Sequence, residues 1–366
     1  MLAVYVSGHG FGHATRTAEV LGAVRRLEPG LPIVVTTAAP FDLFEGVVAP
    51  PLRLRQLECD VGLAQKDALA IDEAATAERW KAHARKLPKL VQGEAALLKH
   101  GRARVVVGDV PPLAFAAAAE AGVPSVAMAN FSWDWIYRHY AGRYPALGEA
   151  AAACARAYAG CDLLLRLPFA GDMSAFPTIE DIPLVGRRPR LSRLDARRRL
   201  GLPGGPLVLL SFGGLGVPGF QPAVLGGLSG LSFFWVGESV AAAAPSALPD
   251  NVTSFPRERL READLRYEDL VGAADVVLTK PGYGIVSDAI GAGTAIVYTE
   301  RGDFPEYEIL VLGMKRHLPC AHVSNEDLRA GRLREPVEAV LRAPIPEPPR
   351  LDGAEVAARR LLEMSG

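Results

Sequence analysis

The chain has 366 residues, 49% of them hydrophobic and 22% charged, with 40 lysines and arginines against 41 aspartates and glutamates. That length exceeds what one hydrophobic core usually supports and predicts two domains, while a formal net charge of −1 gives no electrostatic ground for a nucleic-acid partner. Four scattered cysteines form neither a Cys-x-x-Cys pair nor a zinc pattern, so reduced thiols, a cytoplasmic location and no metal site are expected. The first residues lack a signal-peptide pattern, and no apolar stretch reaches the length of a membrane span.

Residues 2–6 form a short apolar run of the kind a buried parallel strand needs. They lead into Gly8-His9-Gly10-Phe11-Gly12-His13. Glycines at a strand-to-helix turn let the backbone approach a ligand, and the helix N-terminus beyond favours anionic groups. Ala18, Leu21, Val24 and Leu27 recur at helical spacing and predict an amphipathic helix over 15–27. His13, at its start, suits proton chemistry near neutral pH; His9 either joins it or shapes the turn. The turn is no dinucleotide fingerprint. His13 occupies the third-glycine position, and Thr36-Thr37-Ala38-Ala39 stands where an acidic residue belongs. Neither Gly-rich turn of the chain continues into Gly-Lys-Ser/Thr, so the usual motif of ATP-driven phosphoryl transfer is missing.

Strand-like runs follow at 32–37 and 52–58, then a long helix over 70–100, a strand at 105–109, an alanine-rich helix from Pro112 and strands at 125–129 and 161–167. Asp109 and Asn130 close two of these strands, where open α/β sheets place functional groups. Phe131-Ser132-Trp133-Asp134-Trp135-Ile136-Tyr137 reads as a loop whose aromatics serve either as core or as a platform for a sugar ring. Residues 176–206 are rich in proline and arginine and read as a solvated linker with a short helix.

The second half repeats the alternation, with strands at 207–212, 233–237, 252–255, 275–280 and 295–299. Gly213-Gly214-Leu215-Gly216 either presents N–H groups to a diphosphate or makes a tight turn. Pro281-Gly282-Tyr283-Gly284 opens a helix and offers a second anion site; on it, Asp288 takes a ribose hydroxyl pair or favours the helix dipole. Asp303 and Glu306 lie in the carboxylate-rich stretch 299–308 and suit paired hydrogen bonds to sugar hydroxyls. A proline-rich run at 344–349 precedes a last helix over 354–364. The expected fold class is α/β: two Rossmann-like doubly wound domains, 1–183 and 206–345, facing across a cleft, with a linker at 184–205 and a C-terminal helix segment at 346–366.

Gly8-x-Gly10-x-Gly12-His13-x-x-Arg16 resembles the first-domain turn of nucleotide-sugar enzymes with the GT-B fold, among them the N-acetylglucosaminyltransferase of peptidoglycan synthesis and the UDP-sugar hydrolase of pseudaminic acid synthesis. Gly282-Tyr283-Gly284-Ile285-Val286-Ser287-Asp288-Ala289 looks like their nucleotide-binding helix, and Gly213-Gly214 like the glycine pair beside the diphosphate. Across nearly the whole chain, the strings Gly8–Arg16, Asp60-Val61-Gly62, Gln65–Leu69 and Asn130–Tyr137 are similar to the glycosyltransferase-like N-terminal region of L-arabinokinases, without their kinase half. The resemblance implies a metal-independent glycosyltransferase using a nucleoside-diphosphate sugar, UDP-sugar favoured, with no further cofactor. Its partners are a small-molecule donor and acceptor, and a homo-oligomer is compatible with it. The alternatives are a nucleotide-sugar hydrolase or epimerase, or a non-catalytic nucleotide-sugar-binding protein. His13 would then be the base for the acceptor hydroxyl or polarise the leaving diphosphate, with Asp109 as a reserve base. Gly213, Gly214, Gly282, Gly284, Ser287, Asp288, Asp303 and Glu306 would hold nucleotide and donor. His9, Gly10, Phe11, Gly12, Asn130, Trp133 and Asp134 would face the acceptor.

Overall fold

The computed structural model describes residues 1–213, 216–237 and 248–366; Gly214 lies outside them. In the first half, strands β1 (Leu2–Val6), β2 (Ile33–Thr37), β3 (Leu52–Gln56), β4 (Val105–Asp109), β5 (Ser125–Ala129), β6 (Leu163–Arg166) and β7 (Ile179–Asp181) form a parallel sheet in the order β3-β2-β1-β4-β5-β6-β7. Helices α1 (Phe11–Leu27), α2 (Glu73–His100), α3 (Pro112–Ala121), α4 (Trp133–Tyr140) and α5 (Pro145–Tyr158) cover its faces. Helix α6 (Arg193–Leu200) leads into the second half. There β8 (Leu207–Ser211), β9 (Ser232–Val236), β10 (Val252–Phe255), β11 (Val276–Thr279), β12 (Ala295–Tyr298) and β13 (Cys320–His322) pair in the order β10-β9-β8-β11-β12-β13. Their helices are α7 (Glu258–Glu262), α8 (Tyr267–Ala273), α9 (Tyr283–Ala292), α10 (Glu306–Met314), α11 (Asn325–Ala330), α12 (Arg334–Arg342) and α13 (Gly353–Met364).

Both sheets share one logic. Each reverses its strand order beside its first strand, at β1/β4 and at β8/β11, which opens a crevice at the carboxyl ends of those strands. The central strands are buried on both faces, which is why they read as unbroken apolar runs. One apolar core runs from the inner face of the first sheet through α1 and α9 into the second. No helix among the described residues is long and apolar enough to cross a membrane.

The structure departs from the sequence-based expectations in places that matter. Helix α1 starts at Phe11, not residue 15, because Gly10 takes a left-handed φ of 79° that turns the chain out of the strand at once. His13 therefore lies in the first helical turn. The aromatic string is helix α4, not a loop: Trp133, Ile136, Tyr137 and Tyr140 follow a helical period and are all buried. The basic segment is only partly solvated: Arg188, Arg190, Arg193, Arg198 and Arg199 are exposed, but several of its guanidinium groups are engaged. Arg187 donates to Asp288 and to Glu268, Arg190 to Asp269, and Arg193 and Arg197 to Asp275, so the arginines fasten this stretch to the second domain. Short β7 falls inside the proline-rich stretch as well.

Two crossings join the domains, and they touch each other. The Leu184 N–H donates to Arg350 O at 3.3 Å, and the Gly353 N–H to Leu184 O at 3.3 Å. Helix α13 thereby returns to the first domain and packs along α1.

Candidate functional site

The strand ends at the two sheet reversals converge on one polar cluster. In the register of β1 with β4, Val6 pairs with Asp109, so the glycine turn after β1 rises directly beside that carboxylate. His13 Nδ1 lies 2.7 Å from Asp109 Oδ1. One turn along α1, Arg16 donates through Nε to Asp109 Oδ2 at 2.7 Å and through an Nη to Oδ1 at 2.5 Å. Thr17 Oγ1 adds a donor to Oδ2 at 2.9 Å. Asp109 is fully buried. Burial alone would push its carboxyl up, but the charges and hydrogen bonds of Arg16 and His13 together prevail and hold it down at about 2.

An ionised Asp109 orients the imidazole. The carboxylate faces Nδ1, as does an Arg16 Nη at 3.1 Å, so the ring is held from the Nδ1 side and Nε2 is the nitrogen that Asp109 does not engage. Asp109 itself cannot serve as a base toward a substrate, because both its oxygens are occupied and it sits behind the imidazole. Its burial and its four hydrogen bonds do not fit the reserve base expected from its strand-end location.

The cluster continues into the second domain. Arg16 donates to Asn130 Oδ1 at 2.6 Å, Asn130 Nδ2 donates to Glu306 Oε1 at 2.5 Å, and Arg301 lies 3.3 Å from Glu306 Oε2. His13, Asp109, Arg16, Asn130 and Glu306, far apart in sequence, thus form one hydrogen-bonded chain across the domain boundary. Lys280, just beyond β11, donates from Nζ to Ala68 O at 2.6 Å. Burial, then the charge of Arg301, lowers its pKa to about 7. His9 is held neutral, at about 3, by burial and then by Arg301, His13 and Lys280.

Glycines let the two halves meet. Gly282 caps α9, and the first turn of that helix packs against the first turn of α1: a Cβ on Gly12 would stand 3.6 Å from Gly284 N. Gly213, at the end of β8, has φ +75°. Phe11 faces the same boundary, with the Arg257 guanidinium 5.1 Å from its ring centroid.

Other expected site residues lie elsewhere. Trp133 is a core side chain, stacked on Tyr137 and donating from Nε1 to Asp60 at 2.8 Å. It shows no face for a sugar. Asp134 is buried with Arg138 donating to it at 2.6 Å. Ser287 bonds within its own helix to Gly284 O, and both oxygens of Asp288 are held by Arg187, so the docked linker covers the expected ribose contact. Asp303 is drawn to the first domain by His139 and Arg143, each at 2.6 Å. Among the described residues no group of three or more His, Cys, Asp or Glu side chains could hold a metal ion.

Arg16, Thr17, Lys280 and Arg301 were not singled out as site residues from the sequence. Arg16 was visible in principle, since position i+3 from His13 falls on the same helical face. Lys280 and Arg301 close strands β11 and β12, where open sheets collect ligand-binding groups.

This architecture, two parallel α/β domains with matching sheet reversals, is the GT-B fold of nucleotide-sugar glycosyltransferases. The glycotransferase of kitacinnamycin superposes with a TM-score of 0.60 at 18% identity, covering 100% of this chain and 95% of that one. SnogD from Streptomyces nogalater, a glycosyltransferase, gives 0.58 at 18% identity over 100% and 99%. A Listeria monocytogenes protein assigned as a UDP-N-acetylglucosamine 2-epimerase gives 0.56 at 11% identity over 99% and 94%. At the sequence level the chain is similar to the L-arabinokinase of Arabidopsis thaliana, 35% identical over 374 residues that cover 99% of this chain. It spans about a third of that protein's length (34%). No family model matches.

Proposed function

We propose that the chain transfers a sugar from a nucleoside-diphosphate sugar, with UDP-sugar favoured, to an acceptor hydroxyl. The observation that carries this reading is the His13–Asp109 pair, which leaves Nε2 as a base beside the meeting point of two helix N-termini. The acceptor O–H gives its proton to His13 Nε2 while its oxygen bonds to the anomeric carbon, and the bond from that carbon to the diphosphate oxygen breaks. Negative charge develops on the leaving diphosphate. The N-termini of α1 and α9, Lys280 and Arg301 are the groups that would stabilise it, without calling on a metal. Gly213, Gly282 and Gly284 allow the close approach, and His9 and Gly10 face the acceptor; Glu306 and Asn130, engaged with each other and with Arg301 and Arg16, would meet donor-sugar or acceptor hydroxyls only by exchanging those partners.

The test is a product assay by mass spectrometry with UDP-, GDP- and dTDP-sugars against a panel of sugar and alcohol acceptors. L-arabinose belongs in the panel because the similar Arabidopsis protein is named as its kinase. Transfer that falls by roughly 10²–10⁴ in His13→Ala, with UDP affinity little changed, is the expected outcome. Undiminished transfer removes His13 from the chemistry. The Listeria neighbour favours a second reading, epimerisation or hydrolysis of the donor itself. Donor consumption in the absence of any acceptor would select it.

A further inference from the structure

The first domain contains a cavity of about 320 Å³ away from the cluster just described. Trp80 of α2, Ala116 of α3, Ala157 of α5, Trp133, His83 and Asp60 are among the residues that line it. Exposed Arg156 marks its mouth. His9 and His13 do not line it.

The sequence creates this space. α3 reads Pro-Leu-Ala-Phe-Ala-Ala-Ala-Ala-Glu-Ala, and α5 carries four consecutive alanines before Cys154. Small side chains on two neighbouring helices leave a gap that larger ones would fill. Protein interiors otherwise pack as densely as organic crystals, with few voids larger than a water molecule. A dry apolar cavity of about 150 Å³ already takes up benzene, so this one has room for roughly two fused rings. Its lining is mostly apolar; Asp60 is its one anionic group, with His83 and Arg156 the other ionisable side chains. Asp60 is buried; Trp133 Nε1 donates to one of its oxygens at 2.8 Å and the Ser7 hydroxyl also bonds to the carboxylate, which keeps lone pairs for one further donor.

We propose that this cavity is a binding site for a small apolar molecule, aromatic or branched aliphatic, that carries one hydrogen-bond donor directed at Asp60. Trp133 is a wall shared with the glycine turn. Its indole meets the His9 ring edge-on at 5.4 Å and Phe131 at 5.0 Å, and Phe131 in turn meets His13 at 5.3 Å. Occupancy is therefore felt one ring away from the imidazoles, although the site takes no part in holding a nucleotide.

Calorimetric titration of the whole chain with 2-naphthol and 1-adamantanol tests this, with 2-methoxynaphthalene as the analogue lacking a donor. Saturable one-to-one binding is expected, weaker by fivefold or more for the methoxy compound. Ala116→Phe and Ala157→Phe, made separately, should each fill the space and lower 2-naphthol affinity at least tenfold. Their melting temperature should match or exceed that of the wild type, since an empty gap is filled. Asp60→Asn, which still accepts from Trp133, should erase the preference for 2-naphthol over its methyl ether. UDP binding, measured in parallel, should stay within twofold in all three variants, which separates this site from the cleft. Absence of saturable binding to the wild type, or undiminished binding in a folded cavity-filling variant, overturns the proposal.

Discussion

The backbones of Gly12 and Gly284 touch across the domain boundary: a Cβ built on Gly284 would stand 3.2 Å from the Gly12 Cα. α1 and α9 therefore meet N-terminus to N-terminus, with the positive ends of two helix dipoles turned toward one gap. Two like ends repel unless an anion lies near them, and under the proposed function that anion would be the donor diphosphate. Gly284→Val should hold the helices apart and weaken UDP binding by tenfold or more. Titration calorimetry reads this directly, and an unchanged Kd would cut the link between the contact and the nucleotide.

Asp109→Asn should cost both stability and turnover. The substitution leaves the Arg16 guanidinium buried without its counter-charge, and breaking such a pair costs about 3–5 kcal/mol. The wild-type carboxyl is held at about 2, below its unfolded value, so its contribution is complete above the ordinary carboxylate range and fades as pH falls toward 2. In urea unfolding, the gap between the two proteins should therefore narrow below about pH 4. A gap constant down to pH 3 would contradict the ion pair.

Lys280 carries the opposite sign. Its pKa is lowered to about 7 in the folded protein, so folding pays to bury the cation at every pH below that value. As pH rises from 7 toward the unfolded lysine value of about 10.4, the wild type should gain stability that Lys280→Met does not gain. Chemical unfolding at pH 6, 7, 8 and 9 compares the slopes; parallel slopes would mean the lysine is not desolvated. An anion bound beside Lys280 restores its charge, so UDP binding near pH 8 should take up a proton. Calorimetry in buffers of different ionisation enthalpy measures that uptake.

Arg187 bridges Asp288 and Glu268 in a nearly closed pocket, with side chains 14%, 4% and 3% exposed. Arg187→Ala strands two carboxylates and should destabilise the protein by about 3–5 kcal/mol. Adding Asp288→Leu should recover part of that loss, because the unpaired charge disappears. Thermal melts of both variants decide it, and additive losses would rule out the coupling.

How much of this was legible in the sequence depends on the distance over which each signal acts. The glycine turn with His13, and the strand ends at Asp109 and Asn130, follow from local periodicity and from where parallel sheets expose their strand ends. Helix α4 was missed because a crowd of aromatics conceals a helical period that only their burial makes plain. Arg187 and Asp288 read as a solvated charge and a ribose ligand because each was judged alone. Their pairing spans 101 positions, and no local pattern announces a partner so far away. Asp109 was found without its partners, since its strand-end position is visible in the sequence and the imidazole and guanidinium in front of it are not.

The two chain crossings, hydrogen-bonded at Leu184, Arg350 and Gly353, have a mechanical consequence. Arg187, Arg190, Arg193 and Arg197 rivet the segment after the first crossing to one domain, while α13 fastens the segment after the second to the other. The chain thus passes between the domains twice at one place, so the two connections form a single hydrogen-bonded joint and not two separate tethers.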